Sequence, residues 1–226
     1  MRIPQIIVLT GIDGSGKTTQ SQLLKDYLDN NTRVAFVQQF SSETKVGEYL
    51  ISKYANTLIA CERDVAKDCF QGESDNKSRS IRKYFLKFFA EFRVIITGLF
   101  HTWIKILRNY NSDIIIFDRY YFDDINKVIW LYNTSLNVER IAYKLVPSPN
   151  IVIYLNTSPK IAWQREQDCN TTLEQHICKK DVYDNWFKRH KNKDNYYEIY
   201  VEHGIKEIQN KIVEIVEVNY LRKKTK

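Results

Sequence analysis

The segment Gly11–Thr18 combines glycines, a lysine and a threonine in the spacing of a phosphate-binding loop. Its sequence is Gly-Ile-Asp-Gly-Ser-Gly-Lys-Thr, which fits G-x-x-x-x-G-K-S/T, and an apolar run at residues 6–9 precedes it. Backbone N–H groups can converge on one anion only where glycine removes the obstacle of a Cβ atom. We therefore expect nucleotide-phosphate contacts from Gly11, Ile12, Asp13, Gly14, Ser15, Gly16, Lys17, Thr18 and Thr19.

Two side chains at the end of this loop indicate how a polyphosphate would be held. Lys17 can reach the β- and γ-phosphates of a nucleotide, and the Thr18 hydroxyl can bind Mg²⁺. Apolar residues at helical spacing predict a helix over Lys17–Asn30, whose positive N-terminal end adds to the site. The flanking strand and helix argue against the alternative of a chance turn rich in glycine and serine.

A second polar pair, Asp118 and Arg119, follows the apolar run Ile114–Phe117. At the carboxyl end of a buried strand, Asp118 can hold Mg²⁺ or its water shell. Arg119 can bridge two phosphates and neutralise charge that develops during transfer. The alternative is that both residues pair with other side chains and only end the strand. The phosphate loop in the same chain favours the functional interpretation.

Alternating strands and helices must position these residues. Short apolar runs predict strands at Ile3–Leu9, Val34–Gln39, Ile114–Phe117, Ile151–Leu155 and Tyr196–Val201. Helical patterns occupy Lys17–Asn30, Thr44–Leu58, Ser78–Asn109, Phe122–Leu145, Pro159–Gln167, Lys179–Lys191 and Gly204–Leu221. The alternation predicts an α/β protein with the three-layer fold of phosphate-loop NTPases, in which helices flank a five-stranded parallel sheet. The ligand then binds at the carboxyl ends of the strands.

Length and hydropathy favour one domain over residues 1–226, because a chain of 226 residues can bury one sizeable core. The polar stretch Gln71–Ser80 is interpreted as a surface loop within it. We find no run of 18 apolar residues, and the first strand begins near the N-terminus, so we expect neither a membrane partner nor a signal peptide.

Charge and cysteine content narrow the partners further. The net charge of +7 and the pI of about 9.1 could indicate nucleic-acid binding. Part of the excess lies in the basic residues 222–226, which we interpret as a solvated tail, so we expect no nucleic-acid partner. The cysteines are too few and too widely spaced for a disulfide framework, which indicates a cytoplasmic protein: Cys61, Cys69, Cys169 and Cys178.

Several segments together resemble the thymidylate kinases, a family within the nucleoside-monophosphate kinases of phosphate-loop fold. The loop and the two residues after it are similar to G-x-D-G-x-G-K-T-T-Q, Asp118-Arg119-Tyr120 is similar to D-R-Y, and residues 86–93 resemble L-L/F-F-A-A-D-R. The resemblance covers most of the chain. It implies transfer of the γ-phosphate of ATP, with Mg²⁺, to a nucleoside monophosphate, dTMP above all, by a homodimeric enzyme.

The resemblance also implies roles for individual residues. Asp13 would contact the sugar hydroxyl of the acceptor, Phe89 would stack on thymine, and Arg93 would contact the thymine carbonyl. Tyr120 joins the substrate-binding set, and Arg165, in a segment similar to L-x-x-x-P-x-x-A-x-x-R, would approach the donor phosphates. The alternative for Phe89 is core packing beside other phenylalanines of its helix. The implied catalytic set is Lys17, Asp118, Arg119, Asp13 and Arg165.

The chain departs from the family pattern at three places. After the second strand the family usually has an arginine for the acceptor phosphate, in a Phe-x-x-Arg or Arg-Glu-Pro context, whereas the run Phe40–Lys45 contains none. We expect Phe40 and Lys45 to belong to the substrate-binding set, with Lys45 able to substitute for the arginine only as a point charge. Behind D-R-Y the family commonly has a serine and an aromatic-glutamine pair that excludes ribose. Asp123, Asn126 and Lys127 occupy those places. The phosphate loop has Gly14-Ser15 where one subclass of the family has a basic residue, so a lid near residues 166–180 would have to supply catalytic charge from Lys179 and Lys180.

Other functions remain open at this point. A kinase of another nucleoside monophosphate or of a deoxynucleoside would share the fold, and a nucleotide-binding regulator without turnover is conceivable. A zinc-bearing lid built from Cys169, His176 and Cys178 has no C-x₂-C pair and no obvious fourth ligand. A GTPase would need Asn-Lys-x-Asp, and residues 192–194 have the wrong spacing.

Overall fold

All five predicted strands are present in the computed structural model and form one sheet. The structure describes residues 4–29, 32–38, 102–132, 137–166, 171–202 and 204–224. The strands are β1 (Gln5–Thr10), β2 (Val34–Gln38), β3 (Ile114–Asp118), β4 (Ile151–Asn156) and β5 (Tyr196–Tyr200). Their order is β2-β3-β1-β4-β5, and every neighbouring pair is parallel. The prediction of a five-stranded parallel sheet is confirmed.

The helices connect these strands across both faces of the sheet. They are α1 (Lys17–Leu28), α2 (Tyr121–Tyr132), α3 (Asn137–Leu145), α4 (Pro159–Arg165), α5 (Leu173–His190) and α6 (Ile205–Lys224), and residues 102–108 are also helical. The single helix predicted over Phe122–Leu145 corresponds to α2 and α3. The predicted helix Thr44–Leu58, most of Ser78–Asn109 and the loop Gln71–Ser80 lie outside the described residues.

The predicted start of helix α5 at Lys179 was wrong, because the helix begins six residues earlier, at Leu173. Thr172 is the N-cap: its hydroxyl accepts from the backbone N–H of Gln175, whose side chain accepts from the N–H of Thr172. This reciprocal capping box satisfies two donors that would otherwise have no partner at a helix start. The sequence carries the signal as Thr-x-x-Gln, three residues apart. The earlier start brings the first turns of α5 into the region interpreted as a lid.

Two hydrophobic layers enclose the sheet. On one face Val8, Phe117 and Tyr154 pack with residues of α2 and α5, and on the other Leu9, Ile116 and Ile153 pack with residues of α1 and α6. Successive strand residues point to opposite faces, so burial on both sides requires the continuous apolar runs in the sequence. Among the described helices, none combines the length and apolar character needed to cross a membrane.

The register of the sheet positions the two motifs. Strand β1 lies in the centre, between β3 and β4. Leu9 pairs with Asp118 and Thr10 pairs with Tyr154. Because the strands are parallel, the phosphate loop that follows β1 and the Asp118-Arg119 pair that ends β3 emerge at the same carboxyl edge.

Candidate active site

The phosphate loop is held close to the backbone of two neighbouring elements. A Cβ atom on Gly14 would lie 2.3 Å from the Ala162 carbonyl oxygen in α4, and one on Gly11 would lie 2.7 Å from the Leu155 carbonyl oxygen in β4. Gly14 also has a φ of +77°, which side chains other than that of glycine rarely allow. The loop therefore needs glycine at both positions to fit between α4 and the end of β4.

Lys17 is buried inside the loop that it follows. Its Nζ donates to the Ile12 carbonyl oxygen at 2.6 Å, and the Ser15 hydroxyl lies 3.4 Å away. Burial, and next the charge of Arg119, lower the pKa of this ammonium from 10.5 to about 8, although the carboxylates Asp13, Asp123 and Asp118 act in the opposite direction. Lys17 is thus a partly desolvated cation at the place where phosphate would bind.

This lowered pKa predicts that ATP affinity depends on pH. Below about pH 8 Lys17 carries its charge, and above that value the free protein loses a cation from the phosphate site. ATP should therefore bind more weakly as the pH rises from 7 to 9.5, and binding near pH 8 should take up protons, because a phosphate raises the pKa again. Calorimetry in two buffers of different ionisation enthalpy measures both effects. A proton uptake of zero, with constant affinity over this range, would show that Lys17 does not meet the phosphates.

Thr18 and Asp118 meet at the start of α1. The Thr18 hydroxyl donates to Asp118 Oδ2 at 2.6 Å, whereas Oδ1 of the same carboxylate is buried and lacks a hydrogen-bonding partner among the described residues. A hydroxyl and a carboxylate oxygen are the ligands that Mg²⁺ prefers, and the ion usually completes its shell with waters and substrate phosphates. The two residues therefore fit a magnesium ion carried with a nucleotide.

Arg119 turns back from β3 toward the phosphate loop. Its backbone has a φ of 72°, a left-handed conformation uncommon outside glycine, while its N–H continues the sheet by donating to the Leu9 carbonyl oxygen at 3.1 Å. The Nη2 atom of Arg119 pairs with Asp13 Oδ1. Strained backbone of this kind is often found where a side chain must be aimed at a ligand.

Asp13 joins the loop to two cations. Beside Arg119, the Nζ atom of Lys179 in α5 lies 3.1 Å from Asp13 Oδ2. Burial alone would raise the pKa of Asp13, but Arg119, Lys17 and Lys179 together hold it well below its usual range. The carboxylate is therefore charged at neutral pH and fixes the two cations beside the loop.

Arg165 and Lys179 both reach the phosphate loop, whereas Lys180 does not. Arg165 Nη1 lies 3.5 Å from the Gly14 carbonyl oxygen at the phosphate loop. Lys180 instead pairs with Asp184 and lies over the ring of Tyr154, so its ammonium belongs to the packing of α5. Of the two lysines considered for catalytic charge, Lys179 reaches Asp13 of the loop and Lys180 does not.

The residues considered for a zinc-bearing lid are engaged elsewhere or lie outside the described part. The buried ring of His176 hydrogen-bonds Glu166 at 2.8 Å and the Thr172 carbonyl oxygen at 3.2 Å. Cys178 is a free thiol, and Cys169 is not among the described residues. No group of three His, Cys, Asp or Glu residues positioned for a metal occurs in the described ranges. The His176–Glu166 contact joins the end of α4 to the first turn of α5.

Asp13, Arg119 and Lys179 together form the Asp13 cluster. A cavity of about 340 Å³ opens beside this cluster. The loop, α2 and α5 form its walls, with lining residues Ile12, Asp13, Arg119, Asp123, Asn126, Lys127, Trp130, Glu166, Lys179 and Tyr183. Lys179 Nζ lies 5.1 Å from the centre of the Trp130 ring. The cavity lies next to the predicted phosphate site. It is lined by cations that could bind an anion, by an aromatic ring and by several polar side chains.

Tyr120 does not line this cavity. Its ring is fully buried against Phe117 and Phe122, and its hydroxyl donates to the Pro147 carbonyl oxygen at 2.8 Å. We therefore correct its expected role from substrate contact to a core residue that supports the start of α2. The aromatic third position of the D-R-Y segment serves packing here.

Asp123 is a site residue whose role we did not predict. It accepts from the Thr10 hydroxyl at 2.7 Å, from the Tyr183 hydroxyl at 2.9 Å and from the Tyr120 N–H at 2.8 Å. Burial raises its pKa, while Arg119 and the hydrogen bonds oppose that shift. An acid three residues after a helix cap is the available sequence signal. Asp123 ties the end of β1, α2 and α5 together under the cavity.

Four expected substrate contacts lie outside the described residues: Phe40, Lys45, Phe89 and Arg93. Their roles stay predictions. The described part of the site contains the phosphate loop, the ion pairs of Asp13 and the cavity beside them.

Comparison with known proteins relates the chain to one family of kinases. The family model for thymidylate kinase matches residues 9–212. The chain is 26% identical over 222 residues to the thymidylate kinase of Plasmodium falciparum (isolate 3D7), which covers 94% of this chain and 89% of that protein. It is 25% identical over 177 residues to a probable thymidylate kinase 1 of Saccharolobus solfataricus, with 76% of each chain covered.

Solved structures of kinases share the fold. The thymidylate kinase from Ehrlichia chaffeensis superposes with a TM-score of 0.57 at 18% identity, covering 94% of this chain and 98% of that chain. A deoxyadenosine kinase from M. mycoides gives the same TM-score and identity, covering 95% and 100%. At such identity these two likenesses bear on the architecture and leave the acceptor open.

Proposed function

The chain belongs to the thymidylate kinase family and is an ATP-dependent phosphotransferase, and from this premise we propose that it transfers the γ-phosphoryl group of MgATP to dTMP, giving dTDP. The observation that carries the proposal is the cavity beside the phosphate loop, where Arg119 and Lys179 are held by Asp13. Transfer to a second nucleotide requires a space beside the loop whose cations can hold a second phosphate, and this cavity offers such a space.

We assign the donor side to the phosphate loop and its neighbours. Loop N–H groups and Lys17 hold the β- and γ-phosphates, and Arg165 approaches them from α4. Thr18 and Asp118 would hold Mg²⁺, which when bound neutralises charge on the donor phosphates. Asp118 Oδ1, which is buried without a hydrogen-bonding partner in the part of the chain that the structure describes, supports this assignment.

Catalysis of phosphoryl transfer depends on the alignment of the two phosphates more than on covalent participation of the protein. An oxygen of the acceptor phosphate forms a bond to the γ-phosphorus while the bond from that phosphorus to the β,γ-bridging oxygen breaks, and ADP leaves. Arg119 can contact both phosphates and neutralise charge in the transition state. Lys179 adds a second cation from α5. Closure of the segment near residues 166–180 would complete the site by excluding water from it.

A panel of acceptors tests the proposal. Purified full-length protein with Mg²⁺ and ATP should release ADP in a coupled assay only when an acceptor is added, and dTMP should give the highest kcat/KM. Faster turnover with another nucleoside monophosphate or with an unphosphorylated deoxynucleoside would replace dTMP as the substrate. Tight ATP binding without turnover on any of these acceptors would identify a regulator.

The base contact inherited from the family gives a separate prediction. Loss of aromatic stacking on a base costs roughly 1–3 kcal/mol, so Phe89→Ala should raise the acceptor KM by a factor of about 5 to 150. The affinity for ATP should stay nearly the same. Arg93→Ala should weaken the preference between bases, because it removes a directional contact to the ring.

Two measurements on Phe89→Ala separate base recognition from core packing. Thermal unfolding reports the fraction of folded protein, and initial rates with dTMP report its acceptor KM. If the variant melts at a much lower temperature while the folded fraction keeps the KM of the wild type, then Phe89 is a core residue and thymine is recognised elsewhere.

We further propose that residues 1–226 act as one kinase domain in the cytoplasm and that two copies form a homodimer, as the family resemblance implies. Sedimentation equilibrium on the full chain tests the assembly. A mass of twice 26.9 kDa is expected, and a monomer at micromolar concentration would contradict this part of the proposal.

A further inference from the structure

Asn126 has the most unusual environment of the cavity residues. Its side chain, in the middle of α2, is 1% exposed, and in the described part of the chain neither Oδ1 nor Nδ2 has a hydrogen-bonding partner. Burying an amide without partners destabilises a protein, so native structures rarely contain one without a reason. Asp123, one turn earlier on the same helix, is equally buried but accepts three hydrogen bonds.

The helix presents Asn126 to the acceptor cavity. Asp123, Asn126, Lys127 and Trp130 all line that cavity, and their spacing of three, four and seven residues places them on one face of α2. The loop and α5 form the other walls through Asp13 and Lys179. Asn126 therefore faces the space that also contains the two cations of the Asp13 cluster.

The chemistry of the amide indicates what it can bind. The cations that line the cavity, Arg119, Lys127 and Lys179, are the groups suited to a phosphate. A carboxamide is neutral and offers an acceptor next to two donors, so it complements a neutral group that carries both a donor and an acceptor. Within dTMP, the acceptor proposed above, two neutral parts have this character: the sugar hydroxyl and the imide edge of thymine.

We propose that Asn126 is a specificity-determining contact to the nucleoside part of the acceptor, an assignment that rests on the acceptor site proposed above. Its amide hydrogen-bonds a neutral donor-acceptor group of the substrate. Because these bonds are missing without the acceptor, Asn126 lowers the stability of the folded protein and raises its selectivity.

The variant Asn126→Leu separates this role from a structural one, because leucine has similar size and no polar atoms. We expect kcat/KM for dTMP to fall about tenfold or more, mainly through KM, while the KM for ATP stays the same. The melting temperature should stay equal or rise. Ser21→Ala is a matched control, since the Ser21 hydroxyl is also buried without a partner among the described residues but does not line the cavity. It should leave the acceptor KM unchanged.

Two analogues of dTMP identify the group that Asn126 contacts. N3-methyl-dTMP lacks the donor of the imide edge, and 3′-deoxythymidine monophosphate lacks the sugar hydroxyl. Wild-type protein should prefer dTMP over one of them, and Asn126→Leu should lose that same preference. An unchanged dTMP KM in the variant, an equal loss with all three compounds, or a lowered melting temperature with wild-type kinetics would each overturn the proposal.

The wild-type protein in the same assay separates this inference from the proposed function. Wild-type turnover on dTMP together with unaltered kinetics of Asn126→Leu would overturn only the role of Asn126. Absence of wild-type turnover on every nucleoside monophosphate would overturn the proposed function, and the role of Asn126 with it.

Discussion

Replacing Lys17 with alanine should lower kcat with every acceptor by a factor of about 100 to 1,000, which corresponds to about 2.7–4 kcal/mol of transition-state stabilisation. The physical reason is the position of its ammonium, buried within the loop and partly desolvated. A cation in such surroundings interacts with developing phosphate charge more strongly than one in water. Initial-rate measurements at saturating ATP and dTMP give the effect on kcat directly.

The fold should survive this change, because burial already disfavours the charged form of Lys17. Lys25→Ala is the matched control: Lys25 lies on the same helix and pairs with Asp29 at the surface, 3.4 Å away. It should retain wild-type turnover. A Lys17→Ala protein with unchanged melting behaviour and turnover within about threefold of wild type would refute the role of Lys17, since a single electrostatic donor contributes far more.

Replacing Arg119 with alanine should lower kcat at least as strongly, by a factor of about 1,000 or more, the range in which transition-state arginines act in phosphoryl transfer. Arg119 is held in a strained backbone conformation and fixed by Asp13 beside the loop. Arg119→Lys keeps the charge and loses the planar donor geometry, so its kcat should lie between that of the wild type and that of Arg119→Ala. KM for ATP should change much less than kcat.

Arg33 offers a control of the same type at the opposite edge of the sheet. It precedes β2, has a side chain that is 73% exposed, and pairs with Asp113 at 3.2 Å. Surface ion pairs of this kind contribute little to stability. Arg33→Ala should therefore keep wild-type kcat. Equal losses in Arg33→Ala and Arg119→Ala would mean that the loss reflects the fold in general and not transfer chemistry.

The fold was predictable from particular apolar runs. Residues 114–117 are continuously apolar because both faces of β3 are buried, and the same holds for β1 and β4. Boundaries that depend on polar contacts were harder to predict. The start of α5 is set by the side chains of Thr172 and Gln175, whereas apolar periodicity indicated only its later turns.

In the candidate site, too, some features could be predicted from the sequence and others could not. The phosphate loop and the Asp118-Arg119 pair are local in sequence, so spacing was enough to predict them. The Asp13 cluster joins residues that are 106 and 166 positions apart, and no local pattern shows that Lys179, and not Lys180, reaches the loop. The sequence marks Asn126 only as a departure from the family pattern behind D-R-Y, and the absence of hydrogen-bonding partners for its amide emerges only from the described structure.

The central claim is a phosphoryl transfer between two nucleotides, and the fate of the γ-phosphate tests it most directly. Full-length protein is incubated with Mg²⁺, dTMP and ATP labelled in its γ-phosphate, and the products are separated. The label is expected in dTDP, with one labelled dTDP formed for each ADP released. Label recovered as free phosphate, or retained in ATP while dTMP stays unchanged, would contradict it.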